Sequence, residues 1–194
     1  MCHRILEDTR FFTLLEQIDE DLLAEARAGR CPLCDGRLDT SDFPRKPRGG
    51  AASLGPGYDK RLSLCCDVTG CRHRVTPPSV RFLGRKVYLG AIVVLATALQ
   101  SGINPWRMSR LRDLLGVSIE TLKRWRVWWR ESFGQSPFFE TARAFFKSPV
   151  DAETLPLSLL ESYGWPENPR DTMAQVLALI KPITTWPHLN AVPL

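Results

Sequence analysis

Apolar residues recur at three- and four-residue steps through residues 9–28, with Phe12, Leu15, Ile18, Leu22 and Ala26 on one side and Gly29 at the point where a helix C-cap would fall. The spacing predicts an amphipathic helix that packs or dimerises. From Arg30 to Pro78 the periodicity is lost. Only Leu62, Leu64 and Cys66, alternating with Arg61, Ser63 and Cys65, read as a strand, and the Gly/Pro-rich run 43–57 reads as a loop. After Arg85 the pattern turns helical again. Val87–Gln100 is a strongly apolar helix stopped by Ser101-Gly102, and Pro105-Trp106 opens a second helix that ends near Leu115. Ser118 caps a third, with Glu120 in its first turn, running to about Phe133 before Gly134. Beyond residue 137 the helices are weaker and broken by prolines. Asn168-Pro169 starts one whose apolar face is Met173, Val176, Leu177 and Ile180, stopped by Pro182. The fold expected is mainly α with a small β segment. It divides into an N-terminal helix (1–29), an irregular module (30–83), a helical unit (84–134) and a helical C-terminal appendage (135–194).

Charge sharpens this picture. The 194 residues carry a net +5, but residues 1–30 and 151–194 are each at −3 while 31–150 stand at +11. Residues 72–130 alone hold twelve Lys/Arg against two acids, Asp113 and Glu120. A basic centre between acidic flanks points to a polyanion that meets the middle only. The longest apolar patch, 91–99, is too short to span a bilayer and is broken by Thr97, and the N-terminus lacks a signal-peptide pattern. A cytoplasmic, nucleoid-associated protein with no membrane or small-molecule partner is the expectation.

In that setting clustered thiols read as metal ligands rather than disulfides. Cys31-x2-Cys34 and Cys66-x4-Cys71 place two thiols on each of two turns, the arrangement a tetrahedral zinc site needs. Cys65 and Cys66 cannot easily both reach one ion, and strand alternation puts Cys66 on the face of Leu62 and Leu64. His73 is an alternative for one thiol. Four protein ligands leave no open position for water, so the ion is expected to be structural, stapling a zinc ribbon too small to fold alone. The acids are scattered and form no histidine–carboxylate constellation, so no enzyme activity is expected.

Trp106 to Arg130 fits helix, tight turn, helix. In the last helix Leu122, Trp125, Trp129 and Phe133 fall within about eighty degrees of one another, a core face, while Lys123, Arg126 and Arg130 line one flank. Such a helix can lie in the major groove of double-stranded DNA. Ser118, Glu120, Thr121, Lys123 and Arg124 would reach base edges; Arg107, Arg110 and Arg112 on the preceding helix would meet the backbone. Arg72, Arg74, Arg81, Arg85 and Lys86 would hold the ribbon against phosphates. In the loop, Arg45, Lys46 and Arg48 either touch phosphates or are simply solvated.

Cys31-Pro-Leu-Cys34, together with Gly70-Cys71-Arg-His-Arg-Val-Thr-Pro-Pro-Ser-Val-Arg-Phe-Leu-Gly-Arg85, resembles the zinc ribbon at the front of bacterial insertion-sequence transposases. Gly116-Val-Ser-Ile-Glu-Thr-Leu-Lys-Arg-Trp125 is similar to their helix-turn-helix, so the resemblance covers about residues 30–131. It implies DNA binding of the transposon-end type. The roughly sixty residues that follow leave no room for the ribonuclease-H-like catalytic domain of those enzymes, the loop between the cysteine pairs is long, and the second pair is set wider. The expectation is therefore an accessory or regulatory product of a mobile element, binding DNA and, as further partners, a transposase or a second copy. The competing expectation is an adaptor whose zinc ribbon docks a larger nucleic-acid enzyme.

Overall fold

The structure is a computed structural model that describes residues 3–48, 54–83, 88–99, 116–146 and 148–185. A short helix α1 (His3–Leu6) leads into α2 (Thr9–Ala28). Asp8 caps α2, its Oδ1 accepting from the amides of Arg10 at 3.0 Å and Phe11 at 3.3 Å. The buried stripe of α2 is Phe11, Phe12, Leu15 and, unexpectedly, Asp19.

The module that follows contains two small antiparallel sheets. In the first, β1 (Leu38–Thr40) pairs with β4 (Leu64–Cys66), which pairs in turn with β5 (Arg74–Val75). In the second, β2 (Phe43–Pro44) pairs with β3 (Lys60–Arg61). The strand read from alternation is β4, and its buried face holds Leu64 and Cys66 while Cys65 turns the other way. Leu38 lies opposite Cys66 in the register, so these residues and Cys31 form a miniature core, closed by Leu23 and Ala26 from the end of α2.

Helix α3 (Gly90–Ala98) is buried along its whole length, as a helix apolar on every side requires. Thr97, the polar interruption, is satisfied within the helix, its Oγ1 donating to the Val93 carbonyl at 2.8 Å. A side chain at Gly90 would place its Cβ 3.0 Å from Leu177 Cδ2 and 3.3 Å from the Val80 carbonyl, so glycine lets α3 start hard against its neighbours.

Helix α4 (Ile119–Val127) begins at the expected cap, Ser118 Oγ accepting from the Thr121 amide at 3.2 Å. Its core face is the expected one, with Leu122, Trp125, Trp129 and Phe133 all buried. The last part differs from expectation. Residues Trp128–Phe133 form a wider π turn, closed by the Gly134 amide on the Trp129 carbonyl at 2.9 Å. The extra residue in the turn lets Trp128, Trp129 and Phe133 all stack on one another, with ring centroids 4.8–5.8 Å apart, where regular spacing would swing Trp128 away.

The residues after 135 form α5 (Pro137–Ala142), α6 (Leu157–Ser162) and α7 (Pro169–Ile180), joined by short 3-10 turns. α7 starts and stops at the two prolines that mark it in the sequence. Phe138, Phe139, Leu160, Met173, Val176, Leu177 and Ile180 join Phe11, Tyr58, Ile92 and Trp129 in one continuous core around α3. The fold is thus mainly α with a small β segment. Among the described residues no helix is long and apolar enough to cross a membrane.

Candidate metal centre and nucleic-acid face

Two turns bring four sulfurs together. Just after α2 the chain closes on itself, the Cys31 amide donating to the Gly36 carbonyl and the Asp35 amide to the Cys31 carbonyl, each at 2.9 Å. On the far side Cys66 ends β4, and the Cys71 amide reaches back to the Val68 carbonyl at 3.1 Å. That inner turn takes up the extra spacer residues and folds Cys71 back toward Cys31. The Sγ atoms of Cys31 and Cys71 stand 3.7 Å apart, those of Cys34 and Cys66 3.4 Å, and all four lie within 4.8 Å of one another. Tetrahedral metal–thiolate bonds of ~2.3 Å require sulfur–sulfur edges of about 3.8 Å, whereas a disulfide would require ~2.05 Å. The cysteines are free thiols, and their spacing matches the first case. Cys31, Cys34, Cys66 and Cys71 can therefore hold a metal ion.

The structure resolves the choice among the remaining ligands. Cys65 Sγ faces the carbonyls of Arg72 at 3.5 Å and Cys66 at 3.6 Å, away from the cluster. His73 contributes its backbone carbonyl to the Cys66 amide at 2.9 Å, and its ring does not belong to the four-sulfur group. The thiols are electrostatically unequal. Burial pushes Cys31 up, but hydrogen bonds from the Leu33 and Cys34 amides and to neighbouring sulfurs hold it down at about 7. Burial pushes Cys66 up to about 12.

Gly36 is part of the cradle. A Cβ there would lie 2.5 Å from Val68 Cγ2, 2.9 Å from Cys66 Sγ and 3.2 Å from Cys34 Sγ. Gly36→Ala is thus expected to push the two turns apart and weaken metal binding about 10-fold, the low end of what disturbing the surroundings of metal ligands costs. Competition with a chromogenic chelator measures this, and an unchanged affinity would mean that the turns yield without moving the sulfurs.

The basic residues divide into two groups. Lys123 is exposed and paired with Glu120 at 3.0 Å, Arg124 donates to Thr121 Oγ1 at 3.1 Å, and Arg126 is exposed. With Ser118 and Thr121 they occupy the side of α4 away from the core. Arg72 is exposed beside the metal turn, and Arg74 is exposed while donating to the Ser41 carbonyl at 2.9 Å. Arg85, Lys86, Arg107, Arg110 and Arg112 lie outside the described residues, as does the helix expected over 105–115.

One expected phosphate contact is corrected. Arg81 is 1% exposed. Its Nε donates to Asp19 Oδ2 at 2.7 Å, its Nη1 donates to the Gly57 carbonyl, and its guanidinium lies 5.3 Å from both the Tyr58 and Phe82 rings. Asp19 also accepts from Ser79 Oγ and, at 2.7 Å, from the Val80 amide. Arg130 pairs with the exposed Glu153 of the C-terminal region, its own side chain remaining 41% exposed. Sequence reasoning missed the Asp19 network, although a signal was present. Asp19 follows Phe12 and Leu15 on the apolar stripe of α2, and Arg81 sits between Val80 and Phe82. A charge at each apolar position is what a buried pair looks like in sequence.

No family model matches the chain, and neither a curated protein nor a solved structure does.

Proposed function

We propose that this chain is a non-enzymatic, zinc-stapled protein that binds double-stranded DNA, an accessory or regulatory product of a mobile element. The observation that carries the reading is α4. Leu122 and Trp125 anchor it in the core, while Lys123, Arg124 and Arg126 stand exposed on its other side. A rigidly seated helix with a cationic outer face suits a major groove. The surrounding segment 31–150 carries the chain's positive charge, and the ribbon adds Arg72 and Arg74. Zinc is the ion favoured for the metal centre because four thiolates in a closed tetrahedron are soft ligands with no position left for catalysis. The resemblance of the cysteine turns and of residues 116–125 to insertion-sequence transposases points to transposon ends as the target.

The test is selection from fragmented genomic DNA with the zinc-loaded protein, followed by sequencing of what survives a moderate-salt wash. A shared motif is the expected outcome, at inverted repeats for transposition or at promoters for repression. On the selected duplex, Lys123→Ala and Arg126→Ala should each weaken binding, and Arg126→Ala should also reduce the log–log salt slope by about 0.9. A flat response from both variants would remove α4 from the interface.

One observation favours an adaptor instead. Leu33 and Val68, at the tips of the two cysteine turns, are 70% and 41% exposed. Apolar tips of this kind suit docking on a protein partner, and release of all DNA fragments alike would make that the leading reading.

A further inference from the structure

The outer face of α4 is not purely cationic. Ile119 and Val127 are each 50% exposed, two of the five large hydrophobic side chains that stand out in this way among the described residues. They lie eight residues apart with Lys123 midway, so Ile119, Lys123 and Val127 form a single i, i+4, i+8 stripe along the helix. Two β-branched apolar side chains bracketing a lysine on a solvent-facing helix gain nothing from water. They gain from a surface that presents small apolar groups beside hydrogen-bond acceptors.

The major groove of DNA is such a surface. Thymine places a C5-methyl there, and guanine places the O6 and N7 acceptors that a lysine can reach. The exposed Lys123, Arg124 and Arg126 supply the charge complementarity that seats the helix against a polyanion. We infer that Ile119 and Val127 are specificity-determining residues that contact thymine methyl groups on either side of a guanine read by Lys123. Eight residues at 1.5 Å rise separate the two side chains by about 12 Å, or roughly three to four base-pair steps of 3.4 Å. The preferred half-site therefore carries two thymines at that separation with guanine between. This inference rests on the DNA-binding reading of α4 and names what that face selects.

The experiment uses the full-length, zinc-loaded protein and the duplex recovered by genomic selection. Each thymine in the motif is replaced in turn by deoxyuridine, which removes the methyl and leaves every hydrogen-bonding group in place. Binding should weaken about three- to four-fold for each contacted methyl. The same replacements should have no effect on the double variant Ile119→Ala/Val127→Ala, whose own affinity for the thymine duplex is reduced. A selected motif whose affinity is indifferent to deoxyuridine at every position overturns the inference and leaves the DNA-binding reading standing. Selection that recovers no motif overturns both. The deoxyuridine series on the unaltered protein needs no variant to fold.

Discussion

Cys66→Ser is expected to abolish tight binding of one metal ion per chain and to unfold the small cysteine-bearing module, while Cys65→Ser leaves both unchanged. The two residues are neighbours with the same chemistry, so the contrast isolates geometry. Cys66 is fully buried with its sulfur 3.4 Å from that of Cys34; Cys65 points out of the cluster toward the Arg72 carbonyl. The effect should be large because the module has little else to hold it. Its sheets are built from strands of two or three residues. Of the four residues in its miniature core, Cys31, Leu38, Leu64 and Cys66, two are themselves ligands. A domain of that size has too little apolar surface to fold unaided, and structural zinc supplies on the order of 10 kcal/mol in such modules. Chelating the metal from the unaltered protein should reproduce the loss. Amide hydrogen exchange should then quicken across 31–76 while α3 and α7, buried in the separate large core, stay protected. Full protection of β4 after chelation would show that the thiols are a packed cluster and not a metal site.

How much of this was legible beforehand depended on the range of the interaction involved. Ser118, Asn168-Pro169 and the strand alternation through Cys66 are local signals, decided by residues within a turn or two, and each element starts or faces where its sequence says. The metal ligands were legible for the same reason: each pair lies on one turn, and only the meeting of the two turns is long-range. The environments of the arginines were not legible. Arg81 and Asp19 are 62 positions apart and Arg130 and Glu153 are 23 apart, so nothing near either arginine announces its partner. A run of basic residues looks uniform along the chain, while burial sorts it. The π turn was hidden too, because it answers to the fit of Trp128 against Trp129 and Phe133 and not to any helix-breaking residue.

Asp19→Ala is expected to cost about 3–5 kcal/mol of folding stability, the range for stripping one partner from a buried ion pair. The carboxylate serves three donors, the Arg81 guanidinium, the Ser79 hydroxyl and the Val80 amide, and Asp19 and Arg81 have no side-chain exposure. Without it Arg81 keeps only the Gly57 carbonyl and two aromatic faces, and its Nη2 is already buried without a hydrogen-bond partner among the described residues. A second buried cation makes matters worse. Arg61 donates to the Leu62 and Pro77 carbonyls, and burial lowers its pKa to about 10 despite the favourable field of Asp19. Removing the carboxylate therefore leaves two guanidinium groups in the interior with no counter-charge from Asp19. Removing the arginine should be milder, since Asp19 would retain Ser79, the Val80 amide and the field of Arg61. The double variant Asp19→Leu/Arg81→Met should recover part of the loss, as exchanging a buried pair for apolar groups of similar volume commonly does. Urea denaturation of the zinc-loaded proteins orders the three variants. An Asp19→Ala protein within about 1 kcal/mol of the parent would mean that Arg81 swings out to solvent, and it would then be available to DNA phosphate after all. The expected order would instead mark Arg81 as the bolt that fixes α2 to the turn at 56–59 and to the segment after the ribbon, setting how the ribbon sits against the helices.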